Sequence, residues 1–445
     1  MKNKHNRLFH VERNNNQQKN EESHEKMIPF ETEGNPTKYF KKNSGRRFSK
    51  GNYYPINYRV EGKEFKNGEC KNYPQNNLIF DIKLNLDVDQ KASIMNKQKY
   101  NSIDLKSIKN RNDMKRCKKG LKNESNIDYL NSTIQCFIRL SNVYKNLMGN
   151  KITIEKYSEI CPLSFSILRA TIHLFDTKDT SSYNLSILHK LLVFLNPMFK
   201  DDSKIDPINV IIFILDNLNS ELKLPKINYP SFDAEIIKGE LIKYLNDIYL
   251  KNNKSFISQL FCWIKQNEKI CSECNNKTYF FNYFYTLDLD YKNVYNSFIF
   301  EQRNEKIITI NDCLDFQSKK KILFNNYCNK CKRKVLMTYS CSSIINYPLI
   351  FIFVVKDLVN EIEDITIKFE EDLVINQRKY KLKSIVAYEK NDGKNGNYIS
   401  YCQDFVDKNW YSFKDEEVNQ TQLKDIIKIN QKKVVPLILF YKYYN

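Results

Sequence analysis

The sequence predicts an α+β fold, a helical half followed by a β-rich half, and three observations carry that reading. Apolar residues recur at helical spacing from residue 128 to about 249, and short β-branched and aromatic runs dominate from Thr278 onward. Two Cys-x-x-Cys pairs stand beside those runs. At 445 residues and 41% hydrophobic content, the chain can build a sizeable core in one large domain or two ordinary ones.

Charge and cysteine usage narrow the class. Lys and Arg total 71 against 52 Asp and Glu, a net charge of +19 that raises the question of a polyanionic partner. Lys, Asn, Ile and Tyr are abundant along the whole chain, however, so the charge reflects a general bias more than a built patch. No nucleic-acid-binding motif accompanies it, and direct nucleic-acid binding is not expected. The 12 cysteines are spread along the chain, which suits a reducing compartment with a metal site better than a disulfide framework. The first residues, MKNKHNRLFHVERNNNQQKN, lack an apolar stretch, and no apolar run approaches bilayer length. The expected location is cytoplasmic or nuclear, with no membrane partner.

Taken in order, residues 1–77 are rich in Asn, Lys, Glu and Gln and are expected to be a mostly disordered basic extension. Residues 78–115 read as a short appendage and a basic linker. In it Phe80, Ile82, Leu84, Leu86 and Val88 alternate with polar residues as a half-buried strand does. The stretch from 105 to 119 is strongly basic, a solvated linker or, as the alternative, a nuclear-import or acidic-partner site. Gly120 to Phe137, GLKNESNIDYLNSTIQCF, is a turn-rich lead-in that enters a helix, with Ile134, Phe137, Leu140, Tyr144 and Leu147 on one face. Asp128 falls at the start of that helix, where free N–H groups and the dipole favour an anion. As an N-cap it would contribute about 0.5 to 2 kcal/mol.

Further helices are expected near 163–175, 184–196 and 209–219, the second ending before Pro197. Another is expected over Asp233 to Tyr249. The runs YFFNYFYTLDLD, VLMTYSCSSII, LIFIFVVK and YKLKSIVAY read as strands. Cys271 with Cys274, and Cys328 with Cys331, each span one edge of a tetrahedron around a soft divalent cation. Four thiolates together make a closed structural Zn2+ site.

Several of these segments, in order, resemble boxes of the ubiquitin-specific protease family, cysteine peptidases that cleave after the C-terminal glycine of ubiquitin. Gly120, Leu121, Asn123, Asn126, Tyr129, Asn131, Ser132 and Gln135 match its nucleophile box. FDAEII near 232, FISQLFCWIKQNEKICSEC, the segment Trp410 to Val418 and the final VVPLILFYKYY resemble later boxes. The resemblance covers about residues 116–445. It implies a papain-like cysteine peptidase fold with a helical thumb, a β-rich palm and zinc-ribbon fingers, and ubiquitin or another protein as partner.

The resemblance also locates what is missing. Asp128 falls on the nucleophilic cysteine, and the family's Gly-His-Tyr step reads Gly396-Asn397-Tyr398, so Asn397 stands at the base position. A carboxylate is a far poorer acyl-transfer nucleophile than a thiolate, and Asn cannot take and return a proton near neutral pH. Asp415 falls on the orienting acid and Asn123 on the oxyanion donor, each with a bland alternative in capping a turn or holding a loop. Cys136, eight residues beyond Asp128, lies about two helical turns or ~12 Å away, a small core residue. All five histidines, His5, His10, His24, His173 and His189, precede the β-rich half. His173 and His189 sit in apolar helical patterns and are expected to pack.

The leading expectation is therefore a catalytically inactive pseudo-deubiquitinase that binds ubiquitin or a protein partner. One alternative is an active deubiquitinase with a non-standard site. The other is an adaptor like the inactive ubiquitin-specific-protease-like splicing factor, which also carries Asp at the nucleophile position but lacks the Cys-x-x-Cys pairs of the fingers.

Overall fold

The computed structural model describes residues 118–176, 181–200, 205–223, 254–303, 306–356, 365–390, 396–428 and 433–444. The expected extension, the strand over Phe80 to Val88, most of the basic linker and the helix over Asp233 to Tyr249 lie outside these residues. All described residues fall within one unit, Tyr54–Asn445.

The helical half opens with strand β1 (Leu121–Lys122) and helices α1 (Asp128–Ile138), α2 (Ser141–Gly149), α3 (Lys151–Lys156) and α4 (Pro162–Phe175). Strand β2 (Tyr183–Asn184), α5 (Ser186–Leu195), a 3-10 turn over Pro197–Lys200 and α6 (Pro207–Leu222) follow. Prolines begin α4 and α6, where the missing N–H costs nothing, and Asp206 caps α6 by accepting from the Ile208 N–H at 2.8 Å. The three helices expected near 163–175, 184–196 and 209–219 are α4, α5 and α6.

The helix expected to run from Asp128 through Leu147 is two helices. Leu140 is extended, at ψ 115°, and separates α1 from α2. At the break Arg139 is buried beside Asp404, with its guanidinium 4.3 Å from the Phe413 ring centroid. Helix α1 is also not amphipathic in the ordinary sense, since every residue from Tyr129 to Ile138 is buried. A helix buried all round must satisfy its polar side chains internally. Thr133 Oγ1 donates to the Tyr129 carbonyl at 2.7 Å, and Gln135 Nε2 donates to the Lys119 carbonyl at 2.9 Å.

The β-rich half begins after α7 (Phe256–Phe261), which a Ser255/Ser258 capping box starts. Strands β3 (Trp263–Cys271), β4 (Lys277–Phe284) and β5 (Thr286–Asp288) precede α8 (Tyr291–Phe300), β6 (Ile307–Thr309) and α9 (Ile310–Ser318). Then come β7 (Lys321–Cys328), β8 (Arg333–Asn346), β9 (Ile350–Val354), β10 (Thr366–Lys368), β11 (Asp372–Ile375) and β12 (Arg378–Glu389). The chain ends with β13 (Asn397–Gln403), β14 (Trp410–Lys414), β15 (Glu417–Thr421), α10 (Leu423–Ile427) and β16 (Val434–Tyr444).

Two sheets dominate. An eight-stranded sheet runs β15-β14-β13-β12-β16-β9-β5, with β11 added beside β12, and a four-stranded sheet runs β4-β3-β8-β7. The large sheet is the palm: β9, read IFIFV, is buried along its whole length, and β16 is buried from Val435 to Tyr441. Pro436 is tolerated in β16 because the β12 to β16 register shifts beside it, between Val386 and Ala387. Helix α1 packs on β12, β13 and β14 and, by its other side, on α6. One apolar core therefore runs from the thumb helices into the palm.

Candidate active site and metal centre

The lead-in to α1 is pinned to the turn between β14 and β15. The Leu121 N–H donates to the Asp415 carbonyl at 2.8 Å. A Cβ on Gly120 would lie 2.5 Å from backbone atoms of Asp415 and Glu416, so only glycine permits this approach. Asn123 then works with both ends of its amide. Its Oδ1 accepts the Ile127 N–H at 2.7 Å, and its Nδ2 donates to Asp415 Oδ2 at 2.9 Å. Asn131, one turn into α1, donates from Nδ2 to Asp415 Oδ1 at 2.8 Å. The Asp415 carboxylate is thus gripped by two amides. Asp415 itself adopts φ 52°, a left-handed conformation that suits Asp at a tight turn.

Asp128 is the first residue of α1, and the N-cap is Ile127, whose side chain caps nothing. The N-cap expected of Asp128 is corrected accordingly. Its carboxylate instead joins two elements: Oδ1 accepts the adjacent Tyr129 N–H at 3.0 Å, and Oδ2 accepts the Tyr398 N–H of β13 at 2.8 Å. Burial raises the Asp128 carboxyl above its ordinary value, the Tyr398 N–H opposes that rise, and the negative charge of Asp415 adds to it. Two carboxylates therefore share this seam, each held by N–H donors.

Asn397 is the first residue of β13, directly opposite Glu389 of β12. Gly396 before it is as constrained as Gly120: an added Cβ would sit 2.1 Å from the Glu389 carbonyl oxygen, and its N–H donates to the Tyr388 hydroxyl at 2.6 Å. Through the backbone of Tyr398 the fold sets Asn397 one residue from the donor that Asp128 uses. Asn123 and Asp415 are joined by a side-chain bond, Asp128 lies close enough for the Asp415 charge to act on it, and Asn397 joins them by backbone position.

No thiol or imidazole enters this constellation among the described residues. Cys136 is fully buried with its Sγ 3.8 Å from Cys402 Sγ, and burial pushes its thiol well above the usual range, the reverse of what activates a nucleophile. His173 sits 3.2 Å from the Ser181 carbonyl and packs on the Tyr183 ring, and His189 meets the Tyr129 ring edge-on at 6.4 Å between centroids. Both are packing residues. Asn131 was legible as a match to the family's box, but not its bond to Asp415. The Tyr398 N–H was not legible at all, since a backbone donor leaves no trace in residue type.

The four cysteines converge at the far end of the small sheet. Cys271 closes β3, Cys328 closes β7, and each begins a knuckle whose second cysteine is followed by a left-handed residue, Asn275 at φ 55° and Lys332 at φ 55°. All four Sγ atoms lie within 4.8 Å of one another, with Cys271 to Cys331 at 3.9 Å and Cys274 to Cys328 at 3.6 Å. A tetrahedron with metal–sulfur bonds of about 2.3 Å has edges of ~3.8 Å, so the donor set fits a soft tetrahedral ion. The Cys331 N–H points to Cys328 Sγ at 3.4 Å and lowers that thiol, while hydrogen bonding with Cys274 pushes Cys331 up. Glu273 and Arg333, one from each knuckle, pair at 2.7 Å.

Against known proteins, the family model described as ubiquitin carboxyl-terminal hydrolase matches residues 119–441. The chain belongs to that family. Solved structures agree on the fold. A SAGA DUB module of Ubp8, Sgf11, Sus1 and Sgf73 bound to monoubiquitin aligns with a TM-score of 0.54 at 17% identity, covering 74% of this chain and 70% of that one. The same module bound to ubiquitin aldehyde aligns at 0.54 and 19% identity, covering 75% and 71%. The yeast SAGA DUB module carrying an Sgf73 mutant aligns at 0.52 and 19% identity, covering 75% and 70%. The thumb, palm and fingers expected of a ubiquitin-specific protease are the helical half, the eight-stranded sheet and the four-stranded sheet. Among the described residues no helix is long and apolar enough to cross a membrane.

Proposed function

We propose that this member of the family is a pseudo-deubiquitinase that binds ubiquitin, alone or on a modified protein, and does not cleave it. The observation that carries the reading is the engagement of Asp128. Both its oxygens accept backbone N–H bonds, one of them from β13, so the group at the nucleophile position serves as a tether between α1 and the palm. The acid that would orient a base is held by Asn123 and Asn131, which makes Asn123 a support for Asp415. An acid and an amide without thiol or imidazole provide neither nucleophile nor general base.

The binding part of the reading rests on the intact scaffold and on likeness to modules solved with ubiquitin. In the fingers, Cys271, Cys274, Cys328 and Cys331 would hold Zn2+ as a structural ion that fixes the tip of the sheet and supplies no chemistry to the seam. Incubation of the full chain with a ubiquitin C-terminal fluorogenic reporter tests the reading together with titration of ubiquitin. Binding without turnover is expected. Turnover that disappears in D128A or N397A would sink it.

A further inference from the structure

Lysines from separate elements are linked away from the seam. Gln403 accepts from Lys383 Nζ and donates from Nε2 to the Lys408 carbonyl at 3.1 Å, and Lys442 reaches Ser141, about one helical turn before Lys145 of α2. Lys442 of β16 faces Lys381 across the β12 ladder, and Lys383 is the residue left over where that register shifts between Leu382 and Ser384. Lys383 Nζ donates to Gln403 Oε1 at 2.7 Å, Lys442 Nζ donates to Ser141 Oγ at 3.1 Å, and Lys408 Nζ donates to the Phe405 carbonyl at 2.6 Å. Lys383 and Lys442 are half-buried, whereas Lys408 and Lys145 of α2 are exposed.

The acids nearby are already taken. Glu371 pairs with Lys381 at 2.8 Å, Asp404 faces Arg139, and Asp407 is bound by Lys118 and Tyr411. Among the described residues no carboxylate pairs with Lys145, Lys383, Lys408 or Lys442. Burial and the charges of Lys381, Lys442 and Lys408 push Lys383 down to about 8, and burial with Lys145 and Lys408 lowers Lys442 as well. Half-buried like charges are costly unless something neutralises them. Helix α2 begins at the Ser141 that Lys442 grips, and no side chain caps its N-terminus, which adds further N–H donors on that side.

We propose that Lys145, Lys383, Lys408 and Lys442 form a binding site for a multiply charged phosphate group, with the half-buried pair as its floor and the exposed pair as its rim. A carboxylate would answer one of the four charges. A phosphate chain answers several at once and accepts many donors. Such a group reaches the site either as a free polyphosphate or as part of a nucleic-acid backbone.

The test is calorimetric titration of the full chain with inorganic tripolyphosphate, alongside the thermal midpoint. The wild type is expected to bind and to gain in midpoint, and K383Q/K442Q to bind about tenfold more weakly or worse. K334Q/K424Q removes the same charge from exposed positions elsewhere and is expected to bind as the wild type does. An unliganded midpoint in K383Q/K442Q at or above that of the wild type establishes that it folds, since the change relieves repulsion. No binding by the wild type, or equal weakening in both variants, overturns the proposal. A short DNA duplex that displaces tripolyphosphate, and is itself weakened by K383Q/K442Q, assigns the site to a nucleic-acid backbone. A duplex that leaves tripolyphosphate in place assigns it to a free phosphate.

Discussion

The fingertip and the seam between α1 and the palm are held together in opposite ways. At the fingertip the buried apolar cluster is Cys271, Cys328 and Val335 with Cys274 and Cys331 against it, almost nothing but prospective ligands. The outer strand β7 there is exposed at most positions. At the seam, α1 is buried on every side by a core that runs through thumb and palm. A region with so little core is expected to depend on its chemistry, here the four thiols. A region with a deep core keeps its shape when its chemistry changes. On the proposed reading, that difference accounts for a chain that keeps four prospective ligands together while Asp128 and Asn397 stand at the nucleophile and base positions.

The largest expected effect tests the fingertip side. C328S/C331S, or chelation of the wild type, should remove about one metal equivalent per chain, which for closed four-thiolate sites represents on the order of 10 kcal/mol of local folding free energy. Hydrogen exchange should lose protection in β7 and β8 while β9, β12 and β16 keep theirs. Loss of protection in both sheets together would show that the fingertip and the palm fold as one unit and would break the comparison.

These contrasts also mark what the residues disclosed in advance. The cysteine spacing, the terminal strand pattern and the helices near 163–175, 184–196 and 209–219 are local signals, and their elements stand where they were expected. The helix break at Leu140 was not legible, because a buried Arg139 held by Asp404 and Phe413 imposes it from distant sequence. Asp128 was legible as an anion at a helix start, but its partner on β13 was not. Tyr398 contributes a backbone N–H, 270 positions away, that any residue other than proline would provide.

At the seam, removal of Asp415 is the next largest change. D415A would remove the side-chain acceptor of Asn123 Nδ2 and one of the two acceptors of buried Asn131 Nδ2, which keeps the Lys122 carbonyl at 3.2 Å, at a cost of about 1–3 kcal/mol. Denaturant unfolding of D415A and D415N should separate the causes. D415N keeps one acceptor oxygen and should recover part of the loss, whereas equal loss in both would mean that the charge alone matters.

The smallest effect is the most specific to Asp128 as a tether. Its carboxyl is raised in the folded state by burial and by Asp415. Below the ordinary aspartate value of about 3.8, the residue is protonated folded or unfolded, and its ionisation contributes nothing to the balance. As pH rises through the window between that value and the raised folded value, the unfolded chain releases its proton more readily, and the native state loses stability. D128N keeps an acceptor for the Tyr398 N–H and removes this titration. The midpoint of D128N minus that of the wild type should therefore increase from acidic to neutral pH, with a total change below that of D415A. In a D415N background the same increase, read as D128N/D415N minus D415N, should be smaller, because the Asp415 charge that adds to the rise of Asp128 is gone. A difference that is flat with pH would mean that Asp128 ionises as freely in the fold as in the unfolded chain, and the two N–H bonds it accepts would then outweigh its burial.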